Sequence, residues 1–136
     1  MADRRFNPKD VLRETFLTHL DVAPDGSSVA YGRRTIEDGA YRTRLWRVAI
    51  EGGRPEQITA GDADGRPRFS PDGKMLVFIS GRSGKAQPWL LPLAGGEPRQ
   101  LAEFPAQVGA ADWAPDGKSI AVLGQTGEQR FRVGEQ

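Results

Sequence analysis

One serine, one histidine and several carboxylates stand at spacings that invite a search for hydrolytic or metal chemistry. Gly81-Arg82-Ser83-Gly84 comes nearest to a nucleophile elbow. That device needs Gly-x-Ser-x-Gly on a sharp strand-to-helix turn, so that the hydroxyl stands clear above the sheet. Here the second glycine arrives one residue early, and Lys85-Ala86-Gln87-Pro88 leads into a strand-like run, not a helix. A Ser-His-Asp triad also needs an imidazole to take the hydroxyl proton. The single histidine, His19, lies among Leu17, Thr18 and Leu20, with no elbow serine for it to serve. Ser83 reads as a loop residue and His19 as a structural strand residue. The sequence assigns no catalytic residue, and this chain by itself is expected not to be an enzyme.

Two ligand motifs fail on spacing. Gly84-Lys85 would complete a phosphate-binding loop only with Gly five residues before Gly84 and Ser or Thr after Lys85. Ile79 and Ala86 occupy those places. Asp62-Ala63-Asp64-Gly65 suggests a calcium loop, but with Gly65 at loop position 6 the twelfth position is Pro71, where a bidentate Glu is required. It reads as an acidic loop between repeats. No metal site and no cofactor are expected. Trp46, Trp89 and Trp113 could stack on sugars or bases, yet the first two recur at equivalent positions, which points to packing between sheets. Arg33, Arg34, Arg42 and Arg44 form the densest basic patch and read as a solvated loop or a rim contact.

The elements behind these residues come from a repeat. Phe69-Ser70-Pro71-Asp72-Gly73-Lys74 followed by Met75 to Ile79 reads as strand, tight turn, strand. Proline presets φ for the first central turn position, Asp bonds the local backbone, and Gly takes positive φ to close the turn. That suffices to explain Asp72 without a repeated acidic site, and the same holds for Asp25 and Asp116. Met75, Val77 and Ile79 share one strand face and Leu76 and Phe78 the other, so this strand is expected to be buried on both sides. Pro24, Pro71 and Pro115 begin three such turns, 47 and 44 residues apart. Trp46 and Gly52-Gly53 return 43 residues later as Trp89 and Gly95-Gly96. The extra residues of the first repeat fall within Arg33 to Thr43, expected to be a polar loop carrying Glu37-Asp38-Gly39.

A period in the forties with a four-stranded meander in each period predicts β-propeller blades. The fold class is therefore all-β, a partial propeller of about two and a half antiparallel blades. Asn7-Pro8-Lys9-Asp10 adds a short N-terminal helix, with Asn7 as cap and Pro8 at the first helical position. The expected divisions are 1–15 for the N-terminal extension, 16–61 and 62–104 for two blades, and 105–136 for an incomplete third. A propeller needs roughly 4 to 8 blades to close, so a sheet face and a strand edge are expected to stand open.

Composition narrows the partners. Nineteen basic residues against 18 acidic give a formal net charge of +1, which supplies no field for nucleic acid or an anionic membrane. No apolar run approaches the roughly 18 residues a membrane helix needs. Without cysteine there is no disulfide or thiolate site, and a reducing compartment is permitted. Met1 to Phe6 lacks an apolar leader core, so a cytoplasmic location is expected.

Phe69 to Lys74, Trp89, Gly95-Gly96-Glu97-Pro98 and Gln100-Leu101 resemble the Pro-Asp-Gly blades of TolB-type proteins and the prolyl-oligopeptidase family. Asp10-Val11-Leu12, Phe16-Leu17, Leu20 to Gly26, Tyr41 to Trp46 and Gly52 to Gly61 are similar, in order and spacing, to the start of its acylaminoacyl-peptidase, dipeptidyl-aminopeptidase-like branch. There is no Trp-Asp dipeptide of the WD-repeat kind. The resemblance implies a serine-peptidase relative, in which a propeller over an α/β-hydrolase domain gates the entry of peptides. The family's catalytic residues lie in that hydrolase domain, so none is carried over to this chain. Implied partners are further propeller blades and the hydrolase domain. Alternatives are a TolB-like protein-binding module and a scaffold that self-associates through its open edges.

Overall fold

The computed structural model describes residues 16–124 and 127–133. These form three antiparallel sheets, and no helix occurs among them. The helix expected at Pro8 to Glu14 lies outside the described residues. The first sheet joins β1 (Phe16–Val22), β2 (Ser28–Glu37), β3 (Ala40–Ala49) and β4 (Glu56–Gln57) in chain order. The second joins β5 (Asp64–Phe69), β6 (Met75–Ser80), β7 (Gln87–Pro92) and β8 (Arg99–Gln100) in the same way. The third has β9 (Val108–Trp113), β10 (Ser119–Gly124) and β11 (Gly127–Arg132).

The three Pro-Asp-Gly turns are nearly superimposable in their chemistry. Gly26, Gly73 and Gly117 have φ of 73°, 72° and 71°, a left-handed backbone that side chains disfavour. Their amides donate to the carbonyls of Ala23, Ser70 and Ala114 at 2.8, 2.8 and 2.9 Å. The Asp25, Asp72 and Asp116 carboxylates accept from the amides of Ser27, Lys74 and Lys118 at 2.9, 3.0 and 2.9 Å. Successive turns also stack. A Cβ placed on Gly73 would lie 3.8 Å from Pro24 Cδ, and one on Gly117 would lie 3.7 Å from Pro71 Cδ.

The segment from Arg33 to Thr43 is not a loop. β2 and β3 run on through it and pair from Ser28↔Ala49 to Glu37↔Ala40. Asp38 and Gly39, at φ 52° and 75°, are the two central residues of a tight hairpin turn of the I′ kind, which suits strand twist. Asp-Gly between strand-forming flanks is a hairpin signal; at this point in the repeat it lengthens two existing strands instead of opening a loop.

The core lies between sheets. Leu76, Phe78, Leu91 and Phe69 of the second sheet pack against Ala23, Ala30 and Leu45 of the first. On its other side, Val77, Ile79 and Leu90 meet Val108, Ala111, Ile120 and Val122 of the third. β6 is thus buried on both faces, with Leu76, Val77 and Phe78 wholly inaccessible. Each such side chain contributes about 1.5–3 kcal/mol by leaving water. The first strands of neighbouring sheets touch, β1 with β5 and β5 with β9.

Candidate functional site

Ser83 lies in the exposed turn between β6 and β7, and His19 within β1 of the first sheet. No hydrogen bond joins them among the described residues, so the geometry assembles no nucleophile–base pair from them. Nor do the described residues hold a group of three or more His, Asp or Glu able to bind a metal ion.

Polar chemistry concentrates instead at the seam between the first two sheets. Asp64, placed by the start of β5, is 1 % exposed. Its carboxylate accepts from Ser80 Oγ at 2.6 Å, Arg82 Nη2 at 2.8 Å and the Gly61 amide at 3.1 Å. The Arg82 guanidinium lies 5.0 Å from the Trp89 ring centre and 5.5 Å from that of Phe78. A buried carboxylate is tolerable only when so surrounded. The acidic segment read as a plain loop therefore contains a buried structural carboxylate, and its partners stand 16 and 18 residues away.

Of the four arginines of the hairpin, two are ion-paired and two stack on aromatic rings. Arg44 donates to Glu37 at 2.6 Å and to Asp62 at 2.9 Å, and Arg42 pairs with the same Asp62. Arg33 stacks on Trp46 at 4.8 Å and Arg34 on Tyr41 at 5.5 Å. Hydrogen bonds from Arg44 and then Thr35 hold the Glu37 carboxyl below its ordinary pKa, and Glu37 in turn raises that of Arg44. In the turns, the Ser27 hydroxyl and amide lower the Asp25 pKa, as the Ser70 hydroxyl and Lys74 amide lower that of Asp72.

The surface best suited to recognition is the outward face of the first sheet. Tyr31 pairs with both Leu20 and Trp46, and Val29 with both Val22 and Val48, so these six side chains share the face opposite Ala30 and Leu45. Leu20 remains 68 % exposed and Val22 47 % exposed. Trp89, the counterpart of Trp46, packs against the cluster between sheets one and two. Trp46 thus presents to the outside the surface that Trp89 buries. The outward face of the third sheet carries Ala121, paired with Asp112, and Leu123, paired with Ala110. Between sheets, the Phe69 amide donates to Asp21 Oδ2 at 2.9 Å and the Trp113 indole N–H to the Arg68 carbonyl at 3.1 Å.

No protein-family model matches the chain. It is 36% identical over 123 residues to the uncharacterized peptidase YuxL of Bacillus subtilis, covering 88% of this chain and 19% of that protein. It is 33% identical over 105 residues to the Tol-Pal system protein TolB of Erwinia tasmaniensis, covering 65% of this chain and 24% of TolB. The chain therefore spans about a fifth to a quarter of these relatives. In fold it is similar to the acylaminoacyl peptidase of Pyrococcus horikoshii, with a TM-score of 0.70 at 22% identity over 85% of this chain and 18% of that one. It is also similar to the β-propeller domain of the trilobed protease of Pyrococcus furiosus, with a TM-score of 0.67 at 19% identity over 81% and 34%. The chain has a β-propeller fold of the Pro-Asp-Gly type, shared with these solved structures, and is similar in sequence to parts of the peptidase YuxL and of TolB.

Proposed function

We propose that this segment is non-catalytic and serves in gating, restricting access of substrates to the hydrolase domain of a serine peptidase and admitting short peptides. The observation that carries the reading is the 36% identity over 123 residues to a peptidase of which this chain spans 19%. The apolar outward face around Tyr31 and Trp46, built like the face that Trp89 buries, supports further propeller blades as one partner. The hydrolase domain is the other. A cytoplasmic location belongs to the same proposal and is compatible with the cysteine-free composition.

The test grafts this segment in place of its counterpart in the Bacillus relative. Hydrolysis of an acylated dipeptide ester and of an unfolded 30-residue peptide is then compared with the parent. The graft is expected to keep the preference for the short substrate. Equal attack on both by the graft, with a selective parent, would remove the gating role. Turnover that co-purifies with the isolated chain would remove the non-catalytic reading.

A second reading, a TolB-like protein-binding module, is supported by the 33% identity over 105 residues to TolB. It requires specific retention of a partner protein that Trp46→Arg abolishes.

A further inference from the structure

β1 and β5 each carry a register break next to a residue in the left-handed backbone region. In β1 the pairing shifts between Thr18 and Leu20, which leaves His19 unpaired at φ 43°. In β5 it shifts between Gly65 and Arg68, where Arg66 has φ 51°. His19 and Arg66 are repeat equivalents, each five residues before the proline of its turn. His enters this backbone more readily than most side chains and Arg does not, while only Gly carries no penalty there. Bulges re-aim side chains, and strained backbone at matching positions points to a use for those side chains. In the third sheet the break falls at Gly109, which has no side chain to aim.

The two bulges meet. β1 and β5 are in contact, and His19 Nδ1 lies 3.8 Å from where a Cβ on Gly65 would stand, beside Arg66. Arg34, on β2 opposite Phe16, lies near enough for its charge to act on His19. Its Nε is buried with no hydrogen-bond partner, and so is Thr18 Oγ1, adjacent to the β1 bulge. Burial of the ring, then the charges of Arg66 and Arg34, hold the His19 imidazole below its ordinary pKa. The charges that act on it are both positive. The nearby Asp21 carboxylate is engaged by Arg68 and the Phe69 amide, and Asp64 by Arg82 and Ser80.

We propose that His19, Arg66, Arg34 and Thr18 form an oxyanion-binding site on β1, β2 and β5, taking a carboxylate or a phosphate group. The guanidinium groups supply paired donors to such an anion, the Thr18 hydroxyl another, and His19 a further one when protonated. An anion seated there offsets the positive charge of the two guanidinium groups and favours protonation of the imidazole. The site stands on the chain's own geometry and does not depend on the peptidase reading.

His19 is the only histidine, so its imidazole NMR signals report on the site without ambiguity. The signals are followed while inorganic phosphate, tetraglycine and tetraglycine amide are added at constant ionic strength. A saturable shift with phosphate or tetraglycine is expected, with none from the amide, and the bound anion should raise the His19 pKa by at least half a unit. Response to both ligands marks a general oxyanion site; response to one identifies its source. Arg66→Gln should weaken binding tenfold or more. Arg66→Gly, which suits the left-handed backbone, should keep the fold and lose binding equally. An equal shift from the amide, no saturable shift from any ligand, or unchanged affinity in Arg66→Gly would overturn the proposal.

Discussion

Residues 58–63 and 101–107 connect the outer strand of one sheet to the first strand of the next, and they do so with different chemistry. They begin alike. The Ile58 amide donates to the Leu45 carbonyl at 2.8 Å, and the Leu101 amide to the Pro88 carbonyl at 2.9 Å. The side-chain amides of Gln57 and Gln100 then donate to the carbonyls of Thr59 and Ala102, two residues on. Beyond this the first connector is held by charge, through Asp62 with Arg42 and Arg44 and through Asp64 with Arg82. The second is held by Gln87, which is inaccessible, donates to the Ala86 and Ala106 carbonyls and accepts from the Phe104 amide at 2.7 Å. Phe104 itself is buried in the apolar cluster beside it. Gln87 stands 43 residues after Arg44, the interval between Trp46 and Trp89. The backbone path is thus common to both connectors, and the side chains that secure it are exchangeable between ion pairs and a buried amide.

The largest effect is expected where charge is buried. Asp64→Ala removes the acceptor of Ser80, Arg82 and Gly61 and should destabilise the chain by about 3 kcal/mol, read as a lower urea midpoint. A loss below about 1 kcal/mol would put the first connector's stability elsewhere. Gln87→Leu removes the acceptor of the Phe104 amide and the donor to the Ala106 carbonyl and should cost about 2 kcal/mol. If it is neutral, the two connectors differ more in kind than their shared path suggests. Asp62→Asn breaks only exposed pairs and should cost less than about 1 kcal/mol. That cost should vanish in 1 M salt, whereas the Gln87→Leu cost should not change. Salt-insensitive loss in Asp62→Asn would mean its pairs act as hydrogen bonds.

Acid sharpens the contrast last. Glu37, Asp25 and Asp72 are held below their ordinary pKa by the bonds described above. Their stabilisation is present above the ordinary carboxylate value of about 4 and is lost as pH falls through their lower folded values. Glu37→Gln should therefore make the decline of unfolding stability below about pH 4 shallower. An unaltered acid limb would show that the Arg44–Glu37 pair contributes nothing there.

Much of the fold was legible because it is written locally. Pro71-Asp72-Gly73 identifies a turn from the conformations of its own residues, and its copies at Pro24 and Pro115 mark the repeat. The alternation from Met75 to Ile79 identifies a strand with two apolar faces. The lengthened hairpin carried a signal in Asp38-Gly39, but a polar, arginine-rich stretch outweighed it, because its charges are neutralised by Glu37 and by Asp62 from the next connector. The oxyanion cluster was not legible. His19 and Arg66 look like ordinary strand residues until the register of each strand with its neighbour is known.

The sequence alone determined the turns, the period, the antiparallel meanders and the twofold burial of β6, since each follows from dihedral preference and alternation over a few residues. Tertiary structure alone decided the surroundings of equivalent positions. Trp46 and Trp89 occupy the same place in their repeats, yet one lies on an outward face and the other beside the core. Asp64 became a buried, ion-paired carboxylate only because Ser80 and Arg82 converge on it across the sheet. Burial and charge pairing depend on the neighbouring sheet, and a repeat period carries no information about which neighbour is there.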